Sequence, residues 1–262
     1  MGTHDKQGES RFQEYDLENR AYLGNHLTEL QEADPEFLEA YLDLAEHPWE
    51  DGPLDPKVKE FVNVALSSAT TALDTTSTRE HIGRALDRGA TFEEVLEVLE
   101  LTSILGMHSA TTGYPILAEE AELDGDDAKT EEIEQILAEL EKNKEFFSAV
   151  WDDIVTIVEN EPDYWRYLYG FLRHPYHDQI LDPKVMEFIY IGIDVGTSHL
   201  YTSGLRVHIR NALLLGATPE EIMEVFQLAS ATGIQSVAEG MPLLLEEAEK
   251  RDALPDSLAD AN

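Results

Sequence analysis

The stretch that decides the fold is residues 202–221, Thr-Ser-Gly-Leu-Arg-Val-His-Ile-Arg-Asn-Ala-Leu-Leu-Leu-Gly-Ala-Thr-Pro-Glu-Glu. It predicts one helix that ends at Gly216, a short turn, and a second helix capped by Thr218. Glycine favours the residue after a helix, and Thr-x-x-Glu is a capping box. Residues 75–94 repeat the pattern, with the same Arg-x-His, Gly-Ala-Thr and Glu-Glu. The chain therefore contains this helix pair twice, with its histidines 208 − 81 = 127 residues apart.

The same offset relates most of the chain to itself. Without any gap, about 35 of the 87 positions from 35 to 121 are identical to the position 127 residues later. A match of this extent at one fixed offset indicates a tandem duplication. We place the first half at residues 1–124 and the second at 125–262, with a linker at 124–127 and a short acidic tail from residue 254.

Helix signals dominate both halves. Asp34-Pro35, Asp55-Pro56 and Asp182-Pro183 predict helix starts, because aspartate caps a helix and proline is tolerated at its first position. His47-Pro48 is expected to end the first of these helices. The helix after Asp55-Pro56 is apolar on most sides, which predicts a central, buried position. Since no segment alternates like a strand, we expect two tandem all-α domains.

The charge balance limits the partners. The chain has 54 acidic and 18 basic residues and a formal net charge of −36. This charge disfavours nucleic acid and anionic lipid, so we expect a small-molecule substrate and neither a nucleic-acid nor a membrane partner. The acids are spread along the chain, as in cytoplasmic proteins of salt-accumulating organisms. With a polar N-terminus and no long apolar run, a cytoplasmic location is expected.

The repeated histidines are the first candidates for chemistry. Residues seven apart share a helix face, so Asp74, Ser77 and His81 form a polar stripe in the first half. Tyr201 and His208 are placed in the same way in the second half. An aspartate or a phenol beside an imidazole suits acid–base chemistry. The alternative is that each ring is held by the backbone of a neighbouring helix and has a structural role only.

Two arginines stand two residues before the histidines. Arg79 and Arg206 point away from the histidine of their own helix, by roughly 200°. We expect them to form salt bridges with Glu60 and Glu187, which both halves also keep. The alternative is that each arginine binds a substrate carboxylate.

The other candidates occur in one half only. His108 and Glu239 are polar residues that could line a substrate pocket, although simple solvation also explains Glu239. His199 does not share a helix face with His208, so a metal site would require ligands converging from other helices. We expect no metal and no cofactor.

The repeated elements together resemble a known family. Leu-x-Pro-x-x-x-Glu is followed after about twenty residues by Arg-x-His, and then by Ala-Leu-x-x-Gly-Ala-Thr-x-Glu-Glu. This order is similar to that of the carboxymuconolactone decarboxylase family, which includes the alkylhydroperoxidase D-like proteins. The resemblance implies compact helical domains that assemble into trimers or hexamers. A tandem chain would then form a homo-oligomer in which three chains imitate six subunits.

The same resemblance defines the expected activity. In the peroxidase branch, cysteines stand seven and four residues before the histidine, but this chain has Asp74 and Ser77 there, or Tyr201 and Gly204. With no cysteine in the chain, thiol peroxidase activity is excluded. The decarboxylase branch often has a glutamate four residues before the histidine, which is also absent here.

The resemblance then implies a cofactor-free lyase acting on a small carboxylated lactone or ring acid, with catalytic pairs His81 with Asp74 and His208 with Tyr201. The alternative is a non-catalytic small-molecule-binding or assembly protein on the same scaffold.

Overall fold

A computed structural model describes residues 27–50, 52–123, 125, 129–178, 180–255 and 258. This part of the chain is helical and contains no strand, which confirms the all-α prediction. Short 3-10 segments follow some helices. The α-helices are α1 (Leu27–Ala33), α2 (Pro35–Glu50), α3 (Pro56–Ser68), α4 (Thr75–Asp87), α5 (Phe92–Ser103), α6 (His108–Ala121), α7 (Thr130–Glu141), α8 (Trp151–Asn160), α9 (Pro162–Leu172), α10 (Pro175–Asp178), α11 (Pro183–Val195), α12 (Thr202–Leu214), α13 (Pro219–Ala231) and α14 (Gln235–Glu249).

The predicted helix starts are confirmed by their caps. The carboxylates of Asp55 and Asp182 accept the backbone N–H two residues later, each at 2.8 Å. The expected stop at His47-Pro48 is wrong, because α2 continues to Glu50 with Pro48 inside it. The carbonyl oxygen of Pro48 accepts a hydrogen bond from the buried ammonium group of Lys59. This tertiary contact holds the last turn of α2.

One compact unit spans residues 47–230. At its centre α3 packs against α11, α4 packs on α3, and α12 packs on α11. Both central helices are buried over most of their length, as predicted. The unit contains parts of both sequence halves, so the halves at 1–124 and 125–262 remain a prediction about the duplication.

Two matching hydrogen bonds join the halves inside this unit. The backbone N–H of Leu54 donates to Glu224 Oε2 at 2.7 Å, and that of Leu181 donates to Glu97 Oε2 at 2.7 Å. These residues correspond under the duplication, since 54 + 127 = 181 and 97 + 127 = 224. Each half therefore supplies a buried carboxylate to the backbone of the other.

In the described part of the chain, the second compact unit consists of residues 27–46, 231–255 and 258. Its described part has a small core formed by Leu30, Leu38, Leu42 and Ile234. The linker expected at 124–127 is described only at residue 125, and the tail from 254 only at residues 254, 255 and 258. No helix of the described ranges combines the length and apolarity that a bilayer span requires.

Candidate active site

Each repeated histidine is held by a glutamate from the central helix beside it. Nδ1 of His81 on α4 lies 2.7 Å from Glu60 Oε2 on α3. Nδ1 of His208 on α12 lies 2.6 Å from Glu187 Oε2 on α11. The separation in sequence is 21 residues in both halves. A carboxylate bonded to one ring nitrogen fixes the tautomer and orients the other nitrogen.

In the first half this pair is closed to solvent. The side chain of His81 is 1% exposed and that of Glu60 is 0% exposed. The guanidinium group of Arg88 lies 3.0 Å from Glu60 Oε1 and balances its charge. The arrangement links α3 to the end of α4 and leaves no room for a reacting molecule at the ring.

In the second half the pair is more accessible. The side chain of His208 is 19% exposed, and the ring of Tyr190 is stacked on it with centroids 4.5 Å apart. Asn211 donates to Glu187 Oε1 at 3.3 Å, at the position that corresponds to Arg84 in the first half. Burial alone lowers the pKa of His208, but the hydrogen bond to Glu187 and the charges of Glu187 and Asp194 raise it above its ordinary value. His208 is therefore suited to hold a proton.

Beside His208 lies a cluster of polar rings and one buried acid. His108 Nδ1 and His199 Nε2 are 2.6 Å apart, and Asp194 Oδ1 lies 3.8 Å from His108 Nε2. The ring of Tyr201 is stacked on that of His108, with centroids 3.9 Å apart, and its hydroxyl group lies 3.1 Å from Thr111 Oγ1. Two helices and the loop after α11 thus bring these side chains together.

Burial shifts the protonation of this cluster. It raises the pKa of Asp194 to about 7, more strongly than the charge of His208 lowers it. Burial, together with the neighbouring His199 and His208, lowers the pKa of His108 to about 3. The imidazole of His108 is therefore neutral and available as a ligand or acceptor.

The pairings expected for the catalytic histidines are not found. Asp74 does not approach His81; it caps α4, accepting the backbone N–H groups of Thr76 and Ser77 at 3.0 Å each. The hydroxyl group of Ser77 also donates to Asp74. This first polar stripe is a helix cap, because the carboxylate satisfies N–H groups that have no partner within the helix.

The corresponding expectation for the second half also needs correction. Tyr201 contacts His108 and Thr111 rather than forming a pair with His208. The ring of Tyr201 packs directly against Gly204. A β-carbon at position 204 would lie 2.3 Å from Asp194 Oδ2 and 2.6 Å from Tyr201 Cδ1. Asp194 occupies the space that a side chain at position 204 would need.

The arginine pairings are wrong as well. Arg79 and Arg206 are exposed, and in the described residues Glu60 pairs with His81 and Arg88 instead. Glu187 bonds His208 and Asn211. The arginines face outward on their helices, as their angular distance from the histidines requires.

The remaining substrate-binding candidates are separated by the structure. His108 lies in the cluster beside the second-half site, whereas Glu239 is exposed on α14. A cavity of about 340 Å³ lies between α7 and α9, and none of the candidate residues lines it.

Asp194 is the residue that sequence reasoning missed. It is 1% exposed near the end of a mostly apolar helix, and the first half has Ser67 at the matching position. An acid that interrupts a buried apolar helix in only one repeat was the available signal. Its neighbours come from α6 and from the loop, so periodicity within one helix could not reveal them.

Comparisons with known proteins agree with the duplication. A model of the carboxymuconolactone decarboxylase family matches residues 35–117 and 162–244, which are 162 − 35 = 127 residues apart. A crystal structure from Burkholderia xenovorans LB400, provisionally described as a gamma-carboxymuconolactone decarboxylase subunit, is 36% identical with a TM-score of 0.74. The similarity covers 87% of this chain and 92% of that chain. No curated protein matches the chain.

Proposed function

Because the chain belongs to the carboxymuconolactone decarboxylase family, we propose that it is a lyase that removes carbon dioxide from a small carboxylated lactone or ring acid. His208 and Glu187 are its acid–base pair. The observation that carries the proposal is exposure: the side chain of His208 is 19% exposed and that of His81 is 1% exposed. The second imidazole is therefore the one of the two that is more open to a substrate.

The proposed reaction needs one proton at a defined place. The bond between the ring and the carboxylate carbon breaks, carbon dioxide leaves, and the electron pair remains on the ring as a dienolate. His208, held as a cation by Glu187, donates its proton to carbon, and solvent then restores it. General acid catalysis of this kind contributes about 10²–10⁴-fold to a rate. The stacked ring of Tyr190 limits the directions from which water reaches the imidazole.

The test measures carbon dioxide release from γ-carboxymuconolactone. We expect turnover by the parent protein, and a loss of about 10²–10⁴-fold in kcat/KM for His208→Gln and Glu187→Gln. His81→Gln is the matched control from the first half and should stay within about twofold of the parent where circular dichroism shows a folded protein. Equal losses in folded His81→Gln and His208→Gln would place the reaction elsewhere.

A second candidate is a non-catalytic protein that binds a small molecule or serves in assembly. The closed arrangement of His81, Glu60 and Arg88 favours it, because it shows that this scaffold can use the same pair for structure alone. Native mass spectrometry distinguishes the two. A ligand retained by the parent protein, together with no carbon dioxide release, would support the binding protein.

A further inference from the structure

The cluster beside the second-half site has the composition of a metal site. His108, His199 and Asp194 each offer one ligand atom, and these three atoms lie within 4.8 Å of one another. Ligand atoms around a tetrahedral metal ion are about 3.3 Å apart, given bonds of about 2.0 Å. The spacing of the three atoms is therefore close to that of a tetrahedral site.

The buried acid of the cluster is incompletely hydrogen-bonded among the described residues. Asp194 is 1% exposed, and its Oδ2 has no hydrogen-bond partner among the described residues. Its Oδ1 lies 3.8 Å from Nε2 of His108. A buried carboxylate is strongly unfavourable unless it is neutralised by protonation, by a paired charge or by a metal ion. The neighbouring imidazoles are the ligands that often accompany a carboxylate at a transition metal.

The fold does not require this cluster. The loop after α3 has the same backbone as the loop after α11, with Leu73 at φ 50° and Leu200 at φ 48°. Both loops are closed by a 2.9 Å bond, from Asp74 N to Ser67 O and from Tyr201 N to Asp194 O. The first half has Ser67, Ala72 and Gln235 where the second-half site has Asp194, His199 and His108. The ligand set is therefore an addition to one half.

We propose that His108, Asp194 and His199 bind a divalent transition-metal ion of the zinc, cobalt or iron(II) class. Two imidazoles and one carboxylate suit these ions better than magnesium or calcium, which prefer oxygen ligands alone. Three protein ligands leave at least one coordination position for water or another small molecule. Tyr201, stacked on His108, orients that ring toward the ion.

The experiment uses the full, untagged chain, freed of metal with a chelator and kept in molar KCl with excess Mg²⁺ to occupy surface carboxylates. Co²⁺ is titrated and followed by visible absorption, and Zn²⁺ by calorimetry. We expect one tight equivalent of either ion per chain. His199→Ala should weaken binding by more than about 100-fold, since even changes outside the ligand set cost about 10–100-fold.

The controls separate binding from folding and from activity. His199→Ala reproduces the alanine that the first half carries on the same loop backbone, so the fold should be retained. His174→Ala removes an exposed histidine of the same half and should keep the tight site. Absence of a tight equivalent in the parent, or equal affinity in His199→Ala, would overturn the proposal. The readout is metal binding, so its result is independent of decarboxylation.

Discussion

Gly204 shows how one residue shapes the second-half site. Asp194 and Tyr201 occupy the space in which a side chain at position 204 would lie. The first half has Ser77 at the matching position, and its hydroxyl group bonds the helix cap Asp74. The exchange of serine for glycine thus allows a buried acid to approach α12.

Gly204→Ala is therefore expected to be destabilising. Forcing a methyl group into this contact should lower the free energy of unfolding by about 1–3 kcal/mol, because overpacking displaces neighbours. Gly83→Ala is the matched control on α4, where a β-carbon meets nothing within 4 Å. That change should be neutral or stabilising by up to about 1 kcal/mol. Urea unfolding in molar salt measures both, and a smaller loss for Gly204→Ala than for Gly83→Ala would contradict the packing argument.

The residues that both halves keep were the easiest to find from sequence. His81 and His208 were identified in this way, and Glu60 and Glu187 were recognised as kept but assigned to Arg79 and Arg206. The assignment failed because the contact joins two helices, and periodicity describes only one helix at a time. His199 and Asp194 have no repeat to mark them.

Helix starts were the most predictable elements, because their chemistry is local. The capping boxes of Thr91 with Glu94 and Thr218 with Glu221 are both present, with reciprocal bonds of 2.8–3.2 Å. The end of α2 was not predictable, since a long-range bond from Lys59 holds the turn that contains Pro48.

The capping box at α5 should give a measurable pH dependence. Partial burial raises the pKa of Glu94, but bonds from Lys57 and from the backbone of Thr91 lower it below its ordinary 4.5. A lowered folded-state pKa means stabilisation that is present above pH 4.5 and lost as the pH falls through the folded-state value. Glu94→Gln keeps a capping acceptor but loses the charge that bonds Lys57, so it should cost up to about 1 kcal/mol at pH 7, and this difference should shrink in acid.

Glu93→Gln supplies the control for this measurement. It removes the same charge from an exposed neighbouring position in the first turn of α5. Chemical unfolding between pH 7 and pH 3 should show a pH-dependent difference for Glu94→Gln and a much smaller one for Glu93→Gln. If the free energy of unfolding depended on pH equally in the two variants, the proposed stabilisation by the charge of Glu94 would be contradicted.

At the scale of the whole molecule, two buried carboxylates each bond the backbone of the opposite half. Glu224 accepts from Leu54 and also pairs with Lys59 Nζ at 2.7 Å, with both side chains almost fully buried. Its counterpart Glu97 likewise accepts the backbone N–H of Leu181. Met186 stands at the position that matches Lys59. The lysine that pairs with Glu224 therefore has no equivalent in the second half.

Glu224→Gln should be strongly destabilising in the parent protein and much less so in the presence of Lys59→Met. Removing the charge leaves Lys59 buried and uncompensated, which costs about 3–5 kcal/mol, whereas loss of a bond alone costs about 1 kcal/mol. Lys59→Met, which copies the second half, should therefore reduce the cost of Glu224→Gln to about 1 kcal/mol. A double-mutant cycle by urea unfolding measures this, and additive effects would contradict the coupling.

The net charge of −36 predicts a salt requirement. At low ionic strength the surface carboxylates repel one another, and molar salt screens them because the Debye length falls to about 3 Å. The Tm should therefore fall when molar KCl is replaced by dilute buffer. A Tm unchanged by this transfer, measured by circular dichroism, would contradict the prediction.

The fold of the molecule was predictable because the duplication doubled every signal. The hydrogen bonds between the halves were not predictable from the sequence. Leu54 and Glu224, for example, are 170 residues apart, and no sequence pattern links them.

The reciprocal bonds from Glu97 and Glu224 make each half incomplete without the other. If the gene is divided at the linker and the two fragments are produced separately, each should remain poorly folded, with a buried acceptor and an amide that lack their partners. Mixing the fragments should restore a structured heterodimer, and with it whatever reactivity resides near His208. The protein would then serve as its own complementation system, in which recovery of activity reports reassembly.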